Sequence, residues 1–105
     1  MKIARLPTLS AKERIVLEVL VSSGAKYGLQ LVDGSRGRLK RGTIYVTLGR
    51  MEIKGFVESR QEERPSGAIG LPRRLYRPTG LALRALDAWK TAEQSFLARL
   101  EPQEG

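Results

Sequence analysis

The fold can be predicted from the pattern in KRGTIYVTLGRMEIKG, which runs from Lys40 to Gly55. Within it Ile44, Leu48 and Met51 recur at intervals of four and three residues, the spacing that places apolar side chains on one face of an α-helix. Glycine commonly ends a helix, because it adopts left-handed backbone conformations at no steric cost. We therefore predict a helix over residues 40–54, with one apolar face turned toward a core.

Two helices are predicted before this stretch. Ser10 and Glu13 have the spacing of a capping box, in which each side chain bonds the other residue's backbone N–H, so the first helix begins at Ser10. The apolar band that follows is too wide for a surface helix, and this helix is expected at the centre of the core until it ends near Gly24. A second, short helix is predicted over residues 27–32, and residues 34–37 form the turn before the third helix.

A β-hairpin is predicted after the third helix. Residues 56–61 have the composition of a strand, and residues 62–72 form a loop that contains two prolines and two glycines. Residues 73–77 form the return strand. Two strands around a basic loop, from Gln61 to Arg77, have the form of a wing.

The last predicted helix runs from Thr79 to Leu100 and is about 33 Å long at about 1.5 Å per residue. Its apolar stripe is longer than a small core can cover, and a second copy of the same helix is the simplest cover. The alternative for Trp89 is packing against Ile15 or Leu20 of its own chain. The residues predicted at the dimer interface are Leu86, Trp89, Phe96 and Leu100.

This order of elements predicts a mainly α fold with a two-stranded β-wing. Residues 1–78 would form a winged helix-turn-helix domain for DNA binding. Residues 79–105 would form a long C-terminal dimerisation helix and a tail.

Positive charge is concentrated in the middle of the chain. The net charge is +8, and the segment from Arg36 to Arg77 holds eleven basic and four acidic residues, so it carries +7 of that charge. Such a concentration indicates a surface that binds a polyanion such as double-stranded DNA. The alternative is a solvated basic face without a ligand.

Twelve side chains of this region are candidate DNA contacts. Basic residues before the third helix lie where the helix dipole favours a phosphate. Residues on the helix would meet base edges or the backbone in the major groove, and arginines of the wing would grip phosphates near the minor groove. The candidates are Arg36, Arg38, Lys40, Arg41, Thr43, Tyr45, Thr47, Arg50, Lys54, Arg64, Arg73 and Arg74.

Several of these candidates have a second interpretation. Tyr45 either contacts a phosphate through its hydroxyl or packs the third helix onto the wing. Arg50 and Lys54 are either DNA contacts or solvated charges, and the wing is either a DNA contact or a solvated hairpin loop.

Two segments resemble the PadR family of bacterial winged helix-turn-helix transcriptional regulators: GTIYVTLGRMEIKGFVESR, from Gly42 to Arg60, and RRLYRPT, from Arg73 to Thr79. The family's G-T-hydrophobic-Y signature stands here at residues 42–45, and YGLQL at residues 27–31 is similar to the family's second helix. The resemblance implies a DNA-binding dimer of the short branch, without a separate effector domain. Any small-molecule effector would then bind at the dimer interface.

Composition argues against other classes of protein. The chain has no cysteine and no histidine, which excludes disulfides, thiolate or imidazole metal sites and the commonest catalytic bases. No enzyme activity, metal or cofactor is therefore expected. No apolar run is long enough to span a membrane and no secretory signal is visible, so a cytoplasmic protein is predicted.

The predicted function is that of a sequence-specific, DNA-binding transcriptional regulator, a homodimeric repressor on a palindromic operator. Two alternatives keep the same fold. One is an architectural protein that binds DNA without sequence preference, and the other is a winged-helix module that binds proteins instead of DNA.

Overall fold

A computed structural model describes residues 8–62 and 73–100 of the chain. The elements in chain order are α1 (Ala11–Ser23), β1 (Lys26–Tyr27), α2 (Gly28–Gly34), α3 (Ile44–Ile53), β2 (Val57–Gln61), β3 (Arg74–Pro78) and α4 (Gly80–Leu100). The predicted mainly α fold with a hairpin and a long last helix is confirmed.

The predicted capping box at the start of α1 is present. The Ser10 N–H donates to Glu13 Oε1 at 2.8 Å, and the Glu13 N–H donates to Ser10 Oγ at 3.2 Å. Glu13 is only 2% exposed, although it lies in the first turn of the helix. Its carboxylate accepts two further bonds from Lys54 Nζ, at 2.8 and 2.9 Å, which join the start of α1 to the end of α3.

The third helix is buried along the face that the sequence predicted. Ile44, Leu48 and Met51 are 1% exposed or less, and α3 packs against α1, α2 and β2. The helix begins at Ile44 rather than at Lys40, so its predicted start is wrong by four residues. Residues 40–43 form a turn instead, because Thr43 has a φ of −123° and a ψ of −9°, outside the helical range.

The sheet has one strand more than the sequence predicted. Strands β2 and β3 form the expected antiparallel pair, with Ser59 opposite Tyr76 and Gln61 opposite Arg74. The two-residue strand β1 pairs with the other edge of β3, which gives the order β1-β3-β2 among the described residues. This third strand joins the hairpin to the segment that enters α2.

The last helix begins at Gly80, one residue after its predicted start. Thr79 caps it: its Oγ1 accepts from the Ala82 N–H at 3.2 Å and donates to the Gly55 carbonyl oxygen. The Thr79 N–H also bonds the Phe56 carbonyl oxygen at 3.0 Å. These contacts fix the start of α4 to the residues that end α3.

The two halves of α4 have different surroundings. Ala82, Ala85 and Leu86 are buried in the core of their own chain, whereas residues 91–100 are all exposed. The assignment of Leu86 to a dimer interface is therefore wrong, because at 4% exposure its side chain is already covered. Only the second half of the apolar stripe remains uncovered.

One ion pair fixes the middle of α4 to α1. The Arg14 guanidinium donates to both carboxylate oxygens of Glu93, one of them at 3.0 Å, and to Glu18 at 3.2 Å. The hydrogen bond from Arg14 holds the pKa of the Glu93 carboxyl below its usual value. Beyond this pair α4 extends past the rest of the described domain.

The buried carboxylate of Glu13 provides a test of this packing. Burial raises the pKa of Glu13, but the hydrogen bonds from Lys54 and Ser10 outweigh it and keep the pKa below its usual value. Glu13→Gln should lower the free energy of unfolding by about 1–3 kcal/mol at pH 7. Because the folded pKa is the lower one, this contribution is present at neutral pH and should disappear as acid protonates the carboxylate, below about pH 5.

Urea unfolding measured from pH 7 to pH 3 checks this prediction. Glu18→Gln is the matched control, because Glu18 lies on the same helix with a partly exposed side chain, and it should cost less than about 0.5 kcal/mol. Equal effects of the two substitutions, or a Glu13→Gln effect that does not change with pH, would contradict the role assigned to the Glu13–Lys54 pair.

Candidate nucleic-acid interface

Residues 35–43 connect α2 to α3 and form what we call the basic loop. Two buried side chains hold it in place, Ser35 at 0% exposure and Leu39 at 4%. The Ser35 hydroxyl donates to the Val32 carbonyl oxygen at 2.7 Å and accepts from the Leu39 N–H at 2.9 Å. Because both anchors point inward, the residues around them are directed to solvent.

Four of the predicted phosphate contacts lie on this loop, and all four are exposed: Arg36, Arg38, Lys40 and Arg41. Arg36 has a φ of +55°, a left-handed conformation that is uncommon for a residue with a side chain. The Arg38 Nε bonds the Ser35 carbonyl oxygen at 3.0 Å, which fixes the base of its guanidinium group. The structure thus gathers four cations immediately before α3.

The face of α3 opposite the core is exposed and carries little charge. Val46 is 58% exposed and Ile53 89%, and Arg50 is the basic residue of this face. A side chain added at Gly49 would meet no atom within 4 Å, so the helix surface is open there. Thr43, another predicted contact, is exposed where the basic loop meets the helix.

Two predicted DNA contacts, Thr47 on α3 and Lys54 just after it, bond other groups of the protein instead. The prediction that Thr47 is exposed is wrong, because it is only 9% exposed and its hydroxyl donates to the Thr43 carbonyl oxygen at 3.1 Å. Lys54 bonds Glu13 and also donates to the Thr8 carbonyl oxygen at 3.3 Å. Its ammonium group therefore serves the packing of α1 on α3, a function that the sequence did not reveal.

Tyr45 packs against α2 rather than against the wing, as one of the two interpretations had it, and its contact with a phosphate stays a prediction. The residue is 54% exposed, yet its ring lies directly over Gly28 at the start of α2. A Cβ atom added to Gly28 would lie 2.7 Å from Tyr45 Cε1, closer than real contacts allow. Glycine at this position is what lets the ring lie flat against α2, between the buried face of α3 and its outer face.

Arg73 lies at the loop end of the hairpin, opposite Glu62, and it stacks on an aromatic ring. Its guanidinium carbon is 5.2 Å from the centroid of Tyr27, and the Tyr27 hydroxyl donates to the Glu62 carboxylate. That hydrogen bond raises the pKa of Tyr27 above its usual value. The group formed by Tyr27, Glu62 and Arg73 links both strands of the hairpin to the entrance of α2.

Arg74 lies on the other face of the hairpin, beside α3. It donates to Ser59 Oγ at 3.2 Å and to Gln61 Oε1 at 3.4 Å, and Ser59 in turn donates to the Glu52 carboxylate at 2.6 Å. This network connects α3 to the hairpin through side chains of both strands. Arg64 and the rest of the predicted wing loop lie outside the described residues.

The fold has relatives among solved structures. No protein-family model matches the sequence, and no curated protein matches it. Transcriptional regulator PA4135 has a TM-score of 0.69 at 16% identity, and the match covers 88% of this chain and 62% of that protein. The PadR family transcription regulator from Clostridium difficile R20291 has a TM-score of 0.62 at 27% identity, with 83% of this chain and 91% of that one covered.

A third structure, the PadR family transcriptional regulator from Eggerthella lenta DSM 2243, is 26% identical with a TM-score of 0.60, over 88% of this chain and 86% of that one. This chain has a PadR-like winged-helix fold. It spans less than two thirds of the length of PA4135, but most of the length of both PadR regulators.

Several residues of this PadR-like fold were missed by sequence reasoning. Val46 was not among the predicted contacts, although its position opposite Ile44 and Leu48 follows from helical periodicity. Ser35 gave no signal, because its anchoring role depends on loop geometry. Tyr27 was assigned only to the second helix, since its contact with Arg73 joins residues far apart in sequence.

Two other classes of site are absent from the described residues. None of their helices is long and apolar enough to cross a membrane. No group of three or more acidic side chains in this part of the chain is placed to hold a metal ion.

The anchor of the basic loop can be tested by Ser35→Ala. This substitution removes the partner of the buried Leu39 N–H, so it should lower the free energy of unfolding by about 1–3 kcal/mol. The Leu39 amide should also exchange its hydrogen faster. Denaturant unfolding and amide exchange measure the two effects.

Ser22→Ala is the matched control, because the Ser22 hydroxyl also bonds a backbone carbonyl oxygen, that of Val19, but at an exposed position. It should change stability by less than about 0.5 kcal/mol. If Ser35→Ala were equally mild and left Leu39 exchange unchanged, the loop would not depend on this hydroxyl.

Proposed function

We propose that this chain is a DNA-binding transcriptional regulator that acts as a homodimer and recognises a specific sequence. The proposal is based on the basic loop. The side chains of Ser35 and Leu39 are buried there, and four cationic side chains are exposed just before α3. The solved structures with the same fold support it, since they are described as transcriptional regulators. We further propose that it represses transcription, by occupying a promoter.

The charge distribution divides the surface into two parts. The basic loop and Arg73 supply cations for phosphates, which contribute affinity but little sequence information. The outer face of α3 has Arg50 and otherwise small or apolar groups, and it is narrow enough for a major groove about 12 Å wide. In this proposal the loop and the hairpin position α3, and the helix contacts the bases.

The second half of α4 supports the dimer. Phe96, Leu97 and Leu100 are 63%, 59% and 63% exposed, and Phe96 and Leu100 continue the helical face on which Leu86 is buried. Apolar residues that continue along a helix beyond the core of their own subunit form the kind of surface that another subunit covers. Two-fold symmetry would then place two α3 helices on half-sites about 34 Å apart, on a palindromic operator.

The salt dependence of the affinity for DNA tests whether the basic loop binds phosphates. A dimer that contacts about six to eight phosphates should lose affinity with a log–log slope of about −5 to −7. Arg41→Ala should weaken binding to all sequences alike and make this slope shallower by about 2, one phosphate per subunit. Fluorescence anisotropy with a selected duplex at several salt concentrations measures both quantities.

Arg77→Ala is the matched control, because Arg77 is exposed but its charge is paired with Glu58 at 2.7 Å. It should leave the slope unchanged. A slope near zero for the unmodified chain would favour the protein-binding alternative. Selection of bound duplexes from a random pool tests the architectural alternative. A regulator should prefer its site over other DNA by roughly 10³-fold, whereas an architectural protein should select no sequence.

The proposed dimer is tested by Phe96→Glu, which places a charge on the uncovered face of α4. The variant should be monomeric in analytical ultracentrifugation at concentrations where the unmodified chain is dimeric, because a buried unpaired charge is costly. Its circular dichroism should be unchanged, since Phe96 makes no contribution to the core of its own chain. Leu83→Glu, at an exposed position on another face of α4, is the control and should remain dimeric. Identical mass for all three proteins would exclude this interface.

A further inference from the structure

The outer face of α3 presents an apolar side chain at its centre. Ile44, Thr47, Leu48 and Met51 form the buried face, and at about 100° per residue Val46 lies about 150° from their mean direction, on the opposite side of the helix. Val46 is 58% exposed. It stands in the first turn of the helix, the part of a recognition helix that contacts base edges.

The residues beside Val46 leave it accessible. Gly42, in the basic loop, lies four residues before Val46, and Gly49, on α3, lies three residues after it; a Cβ added to either glycine would meet no atom within 4 Å. The absence of side chains at these two positions leaves room for a flat or concave surface to approach Val46, whereas Ile53, exposed on the same face, lies about two turns away at the other end of the helix. As a β-branched residue, valine also has few rotamers to lose on binding.

The charged residues near Val46 indicate which class of ligand binds this surface. The basic loop before α3 and Arg50 on the helix form a positive frame around Val46, which favours a polyanion over an apolar protein partner. Against a purely polar surface Val46 would displace water from polar groups without offering them a hydrogen bond, which costs free energy. The major groove offers one apolar group, the 5-methyl group of thymine.

We infer that Val46 is a specificity-determining residue that contacts the 5-methyl group of a thymine in each half-site. This inference rests on the proposed function and adds to it the identity of one base. The chain would therefore distinguish thymine from cytosine or uracil at that position by a methyl contact rather than by a hydrogen bond. Arg50, one turn along the helix, would contact a neighbouring base or phosphate.

Deoxyuridine tests the contact because it differs from thymidine only by that methyl group and keeps every hydrogen bond. A duplex selected by the unmodified chain is remade with each thymine in turn replaced by deoxyuridine, and binding is measured for the unmodified chain and for Val46→Ala. At one position per half-site the unmodified chain should lose roughly fourfold in affinity, the effect expected for one buried methyl group. Val46→Ala should bind the thymine duplex more weakly and show no loss at that position.

Val21→Ala is the matched control, since Val21 is a 45% exposed valine on α1. The Val21→Ala variant should lose as much affinity on deoxyuridine substitution as the unmodified chain does. Both substitutions are at exposed positions, and unchanged thermal unfolding would show that neither alters the fold.

The outcomes separate the inference from the function on which it rests. If the unmodified chain binds its selected site but tolerates every deoxyuridine, or if Val46→Ala keeps the same penalty, the methyl contact is refuted and the regulator is not. If the chain selects no sequence, the proposed function fails and the inference fails with it.

Discussion

The constraint on which this structure depends is that α3 is buried along one face and exposed along the opposite one. Ile44, Leu48 and Met51 are almost completely buried, so the orientation of the helix about its own axis is fixed by the core. A rotation by one residue would expose Leu48, and exposing a buried leucine costs about 1.5–3 kcal/mol, more than a typical hydrogen bond contributes. The core therefore decides which residues face a ligand, although none of its members would touch one.

Contacts between distant parts of the chain hold the two ends of α3 in place. Its start follows the basic loop, which the buried Ser35 hydroxyl fixes to the end of α2. Its end is held by Lys54, whose ammonium group bonds the buried Glu13, and by Gly55, whose carbonyl oxygen accepts from Thr79. The same residues that end α3 thus position the start of α4. The DNA surface and the dimer surface that we propose are therefore connected through this junction.

Much of the fold follows from local pattern, and most of what the sequence missed is non-local. The capping box at Ser10, the apolar face of α3 and the two hairpin strands each depend on residues close in sequence, and all were predicted correctly. Strand β1 was missed because two residues carry no periodicity and are held only by pairing with β3. The role of Lys54 was missed because Glu13 is 41 residues away. Thr47 is a different case: its place beside Ile44 and Leu48 follows from helical spacing, but threonine was assigned to the polar face by its hydroxyl.

Most of the exposed charge at the candidate interface lies before α3 and at the loop end of the hairpin, while the outer face of α3 itself has little. Affinity and sequence preference would therefore come from different residues. The most direct test is an amide NMR titration of the labelled chain with a selected duplex. The account predicts the largest shifts in the basic loop and the first half of α3, over residues 36–50, with little change on the outward side of α1. Largest shifts on α1 or α4, with residues 36–50 unaffected, would contradict it.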